Sequence, residues 1–121
     1  MARRQLTEET VMPRTSLTAI QASRAGTTLP AATAGDATNG NQIANDGRVI
    51  LIVKNTNGAS TARTITFQTS HSVDGLTNPT RQESIPAGET QVFGPFSPND
   101  YGSVLAFDVS NAEVTIQAVH V

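Results

Sequence analysis

The chain has 121 residues, a net charge of −2, and neither cysteine nor tryptophan. This length fits one domain with a buried core, and the lack of cysteine excludes disulfides and thiolate metal ligands. No apolar run of about 18 residues is present, so the sequence predicts no membrane-spanning helix.

The composition favours strands over helices. Charged residues make up 15 % of the chain and Lys54 is its single lysine, whereas helical proteins of this size usually carry many Glu, Lys, Leu and Arg residues. Thr, Val and Ile dominate the patterned segments instead, and β-branched side chains fit a pleated sheet. The sequence therefore predicts an all-β protein.

Residues 1–16 are predicted to form an extended N-terminal arm. Pro13 breaks any helix that starts at Thr7, and no amphipathic period follows. Residues 1–24 carry four arginines against two glutamates, a net charge of +2, while the remainder carries four basic and eight acidic residues, a net charge of −4. Such an arm suits either docking on an acidic partner surface or simple solvation.

The segment that follows the arm has a weaker pattern. Strands are predicted at 17–22 and at 27–33, and Pro30 places the second of them at a sheet edge. Residues 35–41 are rich in Gly, Asn and Asp and predict a loop. The tripeptide at 45–47 (Asn-Asp-Gly) predicts a tight turn whose glycine takes a positive φ.

The strongest strand signal is the apolar run Val49–Val53. Five apolar residues in a row predict either a central strand buried on both faces, or one whose second face lies at a subunit contact. The second alternative makes Ile50 and Ile52 candidate subunit-interface residues. Further on, threonine alternates with apolar residues, which predicts a half-buried strand with Ile65 and Phe67 pointing inward.

The rest of the chain continues as short strands separated by turns. Strands are predicted at 82–85, 91–93, 104–109 and 113–121. The strand at 104–109 places Leu105, Phe107 and Val109 on one face. Turn signals recur about every 8–12 residues, which leaves no room for a crossover helix. We therefore predict a single antiparallel β-sandwich over residues 17–121, of jelly-roll or immunoglobulin-like type.

No catalytic site is predicted. Ser70, His71, Ser72 and Asp74 contain the residue types of a hydrolase triad. However, groups within five positions of one loop cannot normally point at one another in the required order, and no Gly-x-Ser-x-Gly elbow is present. His120 has no metal-ligand residue at zinc spacing. The sequence therefore predicts no enzyme, no metal and no cofactor.

A set of Asn and Asp residues has two interpretations. Their oxygens could serve calcium, although the spacing does not match an EF-hand loop, and the same residue types are common in turns for conformational reasons alone. The set consists of Asp36, Asn39, Asn41, Asn45 and Asp46.

The aromatic residues argue against a nucleic-acid surface. Aromatic residues make up only 4 % of the chain, and the body is acidic, whereas nucleic-acid binding uses clustered basic and stacking side chains. Most of the aromatic residues lie at predicted strand or strand-end positions, so we predict that they belong to the core. Tyr101 lies in a predicted turn and is a candidate partner contact. These aromatics are Phe67, Phe93, Phe96, Phe107 and Tyr101.

Several turn-and-strand runs together are similar to a known family, the small β-sandwich proteins encoded beside the major capsid protein in tailed bacteriophages. The runs are Asn45–Asn55, Ile85–Thr90, Phe93–Phe96 and Val114–Val119. The resemblance covers about residues 42–121 and includes no catalytic motif.

The resemblance implies a capsid decoration (head cement) protein, a virion structural protein. Such a subunit, often a homotrimer, binds the major capsid protein on the capsid exterior and braces neighbouring capsomers after assembly in the host cytoplasm. An arm that adds a strand to a neighbouring subunit is compatible with this role. We predict the capsid contacts within or beside the arm at Arg3, Arg4, Arg14 and Leu17.

Two rival functions stay open at this point. A phage tail, neck or fibre component would share the same fold and composition. A carbohydrate-binding or cell-surface module also uses β-sandwiches, although such modules usually present tryptophan or tyrosine platforms, and this chain has no Trp and one Tyr.

Overall fold

The structure is a computed structural model that describes residues 13–69, 72–73, 76–77 and 80–121. Within these residues, no helix is long and apolar enough to cross a membrane. The elements in chain order are β1 (Thr15–Leu17), β2 (Ile20–Gln21), β3 (Thr33–Ala34), β4 (Asn41–Ala44), β5 (Val49–Asn55), β6 (Arg63–Phe67), β7 (Ser72–Val73), β8 (Leu76–Thr77), β9 (Arg81–Ile85), β10 (Thr90–Phe93), helix α1 (Pro98–Tyr101), β11 (Val104–Val109) and β12 (Val114–His120).

The strands form two main sheets that pack face to face, which confirms the all-β prediction. The first sheet has the order β1-β4-β11-β6-β9 and the second has the order β10-β5-β12-β2, with β3 also paired to β12. The short strands β7 and β8 form a separate antiparallel ribbon. Most pairs are antiparallel, but β1 runs parallel to β4 and β2 runs parallel to β12.

The sheets are therefore mixed, and the prediction of a purely antiparallel sandwich is wrong in this respect. Both parallel pairs involve the segment 15–21, which runs along the edge of the first sheet and then along the edge of the second. The chain keeps the same direction along both edges, so β1 and β2 are each parallel to the strand beside them. The predicted arm boundary after residue 16 falls inside β1.

The other pairs of the two main sheets are antiparallel; β5 pairs with β12 and β6 with β11, and four further pairs are nested along the chain. β3 pairs with β12, β4 with β11, β5 with β10, and β6 with β9. In this nested series the first strand of the segment pairs with the last, the second with the second to last, and so on inward.

Strand β5 alternates between buried and half-buried side chains. Val49, Leu51 and Val53 point into the core, whereas Ile50 and Ile52 are half-buried on the outer face. The prediction that this strand is buried on both faces is therefore wrong. Its alternative, a second face at a subunit contact, stays a prediction.

The core is centred on Phe67, which is completely buried. Its ring centroid lies 5.4 Å from that of Phe93, 5.1 Å from that of Phe96 and 6.2 Å from that of Phe107. The inward positions predicted from alternation in β6 and β11 are confirmed. The remaining buried apolar residues are Ile43, Val49, Leu51, Val53, Ile65, Ile85, Leu105, Val109, Val114, Ile116 and Ala118.

Tyr101 lies in the short helix α1 and not in an open turn. Ser97 caps the helix by accepting a hydrogen bond from the Asn99 backbone N–H, and Pro98 suits the first helical position because its missing N–H has no partner there anyway. The half-buried Tyr101 ring meets Phe96 edge-on at 5.3 Å. Its placement is therefore that of a core-side aromatic.

Candidate functional site

The outer face of the second sheet carries a group of aliphatic side chains. Val92 stands opposite Ile52, and Val119 stands opposite both Ile50 and Ile20, so the register places all of them on one face. Val92 is 63 % exposed and the other four are half-buried. We call these five residues the outer aliphatic face. Exposed apolar patches of this kind mark interaction sites, although β-branched residues are also common strand formers.

The outer face of the first sheet is polar by contrast. Asp108 stands opposite Thr66, and Gln42 stands opposite Ser16. The Gln42 amide donates to the Ser16 hydroxyl at 3.1 Å, and the Gln68 amide donates to Asp108 at 2.6 Å. This is the pattern of a sheet face in contact with water. The two outer faces therefore differ in chemistry.

A cavity of about 440 Å³ opens at one end of the sandwich. It lies between the crossing segment from β1 to β2 and the turn from β4 to β5. We call it the end cavity. It is lined by Leu17, Thr18, Ala19, Gln21, Ile43, Ala44, Asn45, Asp46, Val49, Ser103 and His120.

A three-residue hydrogen-bonded chain stands at the end cavity. His120 Nε2 lies 2.7 Å from Asp46 Oδ2, and His120 Nδ1 lies 2.7 Å from Gln21 Oε1. The imidazole thus ties β12 to β2 and to the turn before β5. Its hydrogen bond holds the pKa of the Asp46 carboxyl below its usual range. His120 is 74 residues from Asp46 in sequence, so no local spacing could have revealed this contact.

The predicted capsid contacts lie in different settings. Arg3 and Arg4 lie outside the described residues. Arg14 donates to Asp108 Oδ1 at 2.8 Å and to the carbonyl of Phe107 at 3.2 Å. Its guanidinium therefore secures β1 to the sandwich.

Leu17 packs against the core and lines the end cavity. Its position, like that of Arg14, is explained by internal contacts. The capsid role of both residues stays a prediction.

The predicted interface residues are only partly brought together. Ile50 and Ile52 share the outer aliphatic face. Tyr101 belongs to α1, which contacts β11 of the first sheet. Sequence reasoning did not identify Val92, Val119 and Ile20 as their neighbours, because the strand register that joins them is not a local feature of the chain.

The loop residues that contain the residue types of a triad lie mostly outside the described part of the chain. Ser70, His71 and Asp74 lie outside it, and Ser72 is described only as the start of β7. Among residues 13–69, 72–73, 76–77 and 80–121, no three His, Cys, Asp or Glu side chains group closely enough to hold a metal ion.

Asn and Asp side chains that were considered as calcium ligands form hydrogen bonds to the backbone of their own turns. Asp36 accepts hydrogen bonds from the backbone N–H groups of Thr38 and Asn39 and from the Thr15 hydroxyl. These bonds, led by that from Asn39, lower the pKa of Asp36 to about 2. Asn45 in turn accepts from the backbone N–H of Gly47, whose φ is +87° as predicted.

The Asp36 contacts predict a specific acid response. Because its folded pKa of about 2 lies below the ordinary 3.8, the ionised carboxylate stabilises the fold above pH 3.8, and this contribution disappears as the pH falls towards 2. Asp36→Asn should therefore lower the melting temperature at pH 7, and its difference from wild type should shrink between pH 4 and pH 2. Thermal melts across this range test the prediction, with the exposed Glu89→Gln as control. A constant Asp36→Asn difference at every pH would contradict it.

Comparisons with protein-family models, with curated proteins and with solved structures found no match to this chain.

Proposed function

We propose that the protein is a capsid decoration subunit, a virion structural protein that binds the major capsid protein on the outside of a phage head. The observation that carries the proposal is the outer aliphatic face, which offers a binding surface to a second copy. The similarity of the sequence over about residues 42–121 to small β-sandwich proteins of phage heads supports the particular role. The proposed assembly is a homotrimer that forms in the host cytoplasm.

The strand order supports a jelly-roll form of the sandwich; the N-terminal arm proposed for residues 1–16 lies, up to residue 12, outside the described residues. In a jelly roll an antiparallel hairpin is wrapped so that its first and last strands pair, then the second and the second to last. The nested pairs from β3–β12 to β6–β9 follow this rule. Jelly rolls are common in viral capsid and lectin domains, whereas an immunoglobulin-like sandwich has another strand order.

A second copy is the occupant that best fits the outer aliphatic face. All five side chains are uncharged, so three copies can meet around a three-fold axis there without bringing like charges together. A polar rim borders this face in the next cross-strand row beyond Ile52 and Gln117. The row consists of Lys54, Thr90 and Thr115. Burial of Val92, which is 63 % exposed, would remove apolar surface from water.

Two observations weigh against the other functions. Both imidazole nitrogens of His120 face side-chain oxygens, of Asp46 and of Gln21, so neither faces a nucleophile as that of a general base would, which supports a non-enzymatic role. The single tyrosine packs edge-on against Phe96 and the chain has no tryptophan. A sugar-stacking platform therefore has little support in the described residues.

Val92→Lys should break the assembly. It places a charge on the most exposed side chain of the outer aliphatic face, at the β10 edge of the sheet, a position exposed enough to leave the fold intact. We expect wild type to sediment as a trimer and Val92→Lys as a monomer, measured by size-exclusion chromatography with light scattering.

The matched control is Gln82→Lys, which adds the same charge in the row of Thr66 and Asp108 on the outer face of the first sheet. It should keep the wild-type mass. Equal melting temperatures of the two variants would show that both fold. A wild type that stays monomeric at every concentration, or a Val92→Lys variant that stays trimeric, would overturn the proposed interface.

A further inference from the structure

The end cavity has the size and inner wall of a small-ligand site. Its volume of about 440 Å³ lies within the usual range of roughly 300–1,000 Å³ for such sites. Ile43 and Val49 are buried core residues that form part of its wall, and Leu17 and Ala19 pack against the same core. The cavity therefore offers an apolar surface to a bound group.

The two amide side chains of this wall, Asn45 and Gln21, already have partners. The Asn45 side chain donates to the Gly102 carbonyl at 2.9 Å and accepts from the Gly47 backbone N–H at 3.0 Å. The Gln21 amide donates to the Ala22 carbonyl at 3.2 Å, and its oxygen lies against His120. A ligand that relied on these amides would have to break existing hydrogen bonds.

Asp46 is the one acidic residue among the lining residues, and its carboxylate has acceptor sites left for further hydrogen bonds. Its Oδ1 accepts from the Arg48 backbone N–H at 3.0 Å and its Oδ2 lies 2.7 Å from His120 Nε2. A carboxylate offers about four acceptor sites, and the Asp46 side chain is 58 % exposed. The hydrogen bond from His120 lowers the pKa of Asp46 and keeps its carboxylate ionised.

An apolar wall beside a carboxylate suits an amphiphilic cation. A long alkyl stem can lie on apolar surface while its ammonium group stays at the wet rim, as lysine side chains do. The same carboxylate repels an anionic head group. We propose that the end cavity binds an alkylammonium group, supplied by a free primary amine or by a lysine side chain of a partner protein. This goes beyond the assembly role, because the cavity lies apart from the outer aliphatic face and shares no residue with it.

The test compares three probes of equal chain length: n-pentylamine, n-pentanol and pentanoate. Amide resonances of the full chain are followed by NMR at pH 7, where the amine is protonated. We expect the shifts to centre on the lining residues. An exposed ion pair contributes about 0.2–1 kcal/mol, so the amine should bind roughly 1.4- to fivefold more tightly than pentanol, and pentanoate more weakly than either.

Two variants and one control separate the contributions. Asp46→Asn should reduce the amine-to-pentanol ratio to about one while pentanol still binds, which shows that the cavity has kept its shape. Ala19→Leu should weaken all three probes because it fills the cavity. Glu89→Gln, an exposed carboxylate away from the cavity, should change nothing.

The source of the ammonium group is tested with Nα-acetyl-lysine N-methylamide. Binding of this probe as well as pentylamine assigns the site to a partner's lysine, whereas binding of pentylamine alone assigns it to a free amine. Pentanoate binding as tightly as pentylamine, shifts that map elsewhere, or no shift with any probe would overturn the proposal.

Discussion

Replacing Phe67 with alanine is expected to lower the free energy of unfolding by about 4 kcal/mol, the usual cost of removing a fully buried aromatic ring. Phe67 is completely buried and contacts the rings of Phe93, Phe96 and Phe107. These rings come from both sheets and from the loop before α1, so the cavity left by alanine cannot be closed by moving one element. The Arg81 guanidinium, 5.8 Å from the Phe67 ring centroid, would lose its aromatic contact as well.

Urea unfolding followed by circular dichroism measures this change. Phe67→Leu should retain much of the stability because it leaves a smaller void. Val104→Ala provides the matched control, since it shortens an apolar side chain that is 49 % exposed and lies outside the outer aliphatic face, and it should change stability by less than about 0.5 kcal/mol. A loss of under about 1 kcal/mol in Phe67→Ala would contradict the core described above.

Asn55→Ala is expected to cost about 3 kcal/mol because it leaves buried backbone groups without partners. The Asn55 side chain is completely buried. It donates to the carbonyls of Ile85 at 2.8 Å and Thr61 at 3.0 Å, and it accepts from the Asn57 backbone N–H. One amide thus joins the end of β5 to the following loop and to the end of β9.

Thr56→Ala is the control for this prediction. Thr56 is the next residue and is exposed, and its hydroxyl donates one bond to the Glu113 carbonyl at 2.7 Å. Its replacement should cost less than about 1 kcal/mol, because the Glu113 carbonyl still accepts from the backbone N–H of residue 56 at 2.9 Å. The two variants should have equal slopes in urea. If Asn55→Ala were no more costly than Thr56→Ala, the bridging role of Asn55 would be wrong.

Regular alternation is the part of the fold that the sequence predicts well. From Ile65 in β6 and from Leu105 in β11, each apolar residue is followed by a polar or small one, so Ile65, Phe67, Leu105, Phe107 and Val109 could be assigned to the core. When apolar and polar side chains alternate along a strand, only one face of the strand is apolar, so only that face can be buried in the core. The structure confirms all five positions.

An unbroken apolar run is less informative. In β5 every residue from Val49 to Val53 is apolar, and nothing in the run distinguishes the face that is buried from the face that is not. The strands β1, β2 and β3 are only two or three residues long, and their pairing depends on distant parts of the chain. Their parallel or antiparallel direction therefore could not be predicted.

The candidate sites depend on contacts that sequence spacing does not encode. Gln21 and His120 are 99 residues apart, and Arg14 and Asp108 are 94 residues apart. Each contact exists because β1 and β2 occupy the edges of the two sheets. The prediction of Arg14 as a partner contact considered its charge alone, whereas its geometry depends on the Asp108 carboxylate across the sheet.

The most direct test of the decoration role is co-sedimentation of the full chain with expanded capsids that lack it, at low and at high salt. We predict saturable binding at a fixed ratio to the major capsid subunit. Weaker binding at high salt would implicate the basic N-terminal segment that carries Arg3 and Arg4, and Val92→Lys should reduce the occupancy. No binding at either salt concentration would contradict the proposed function.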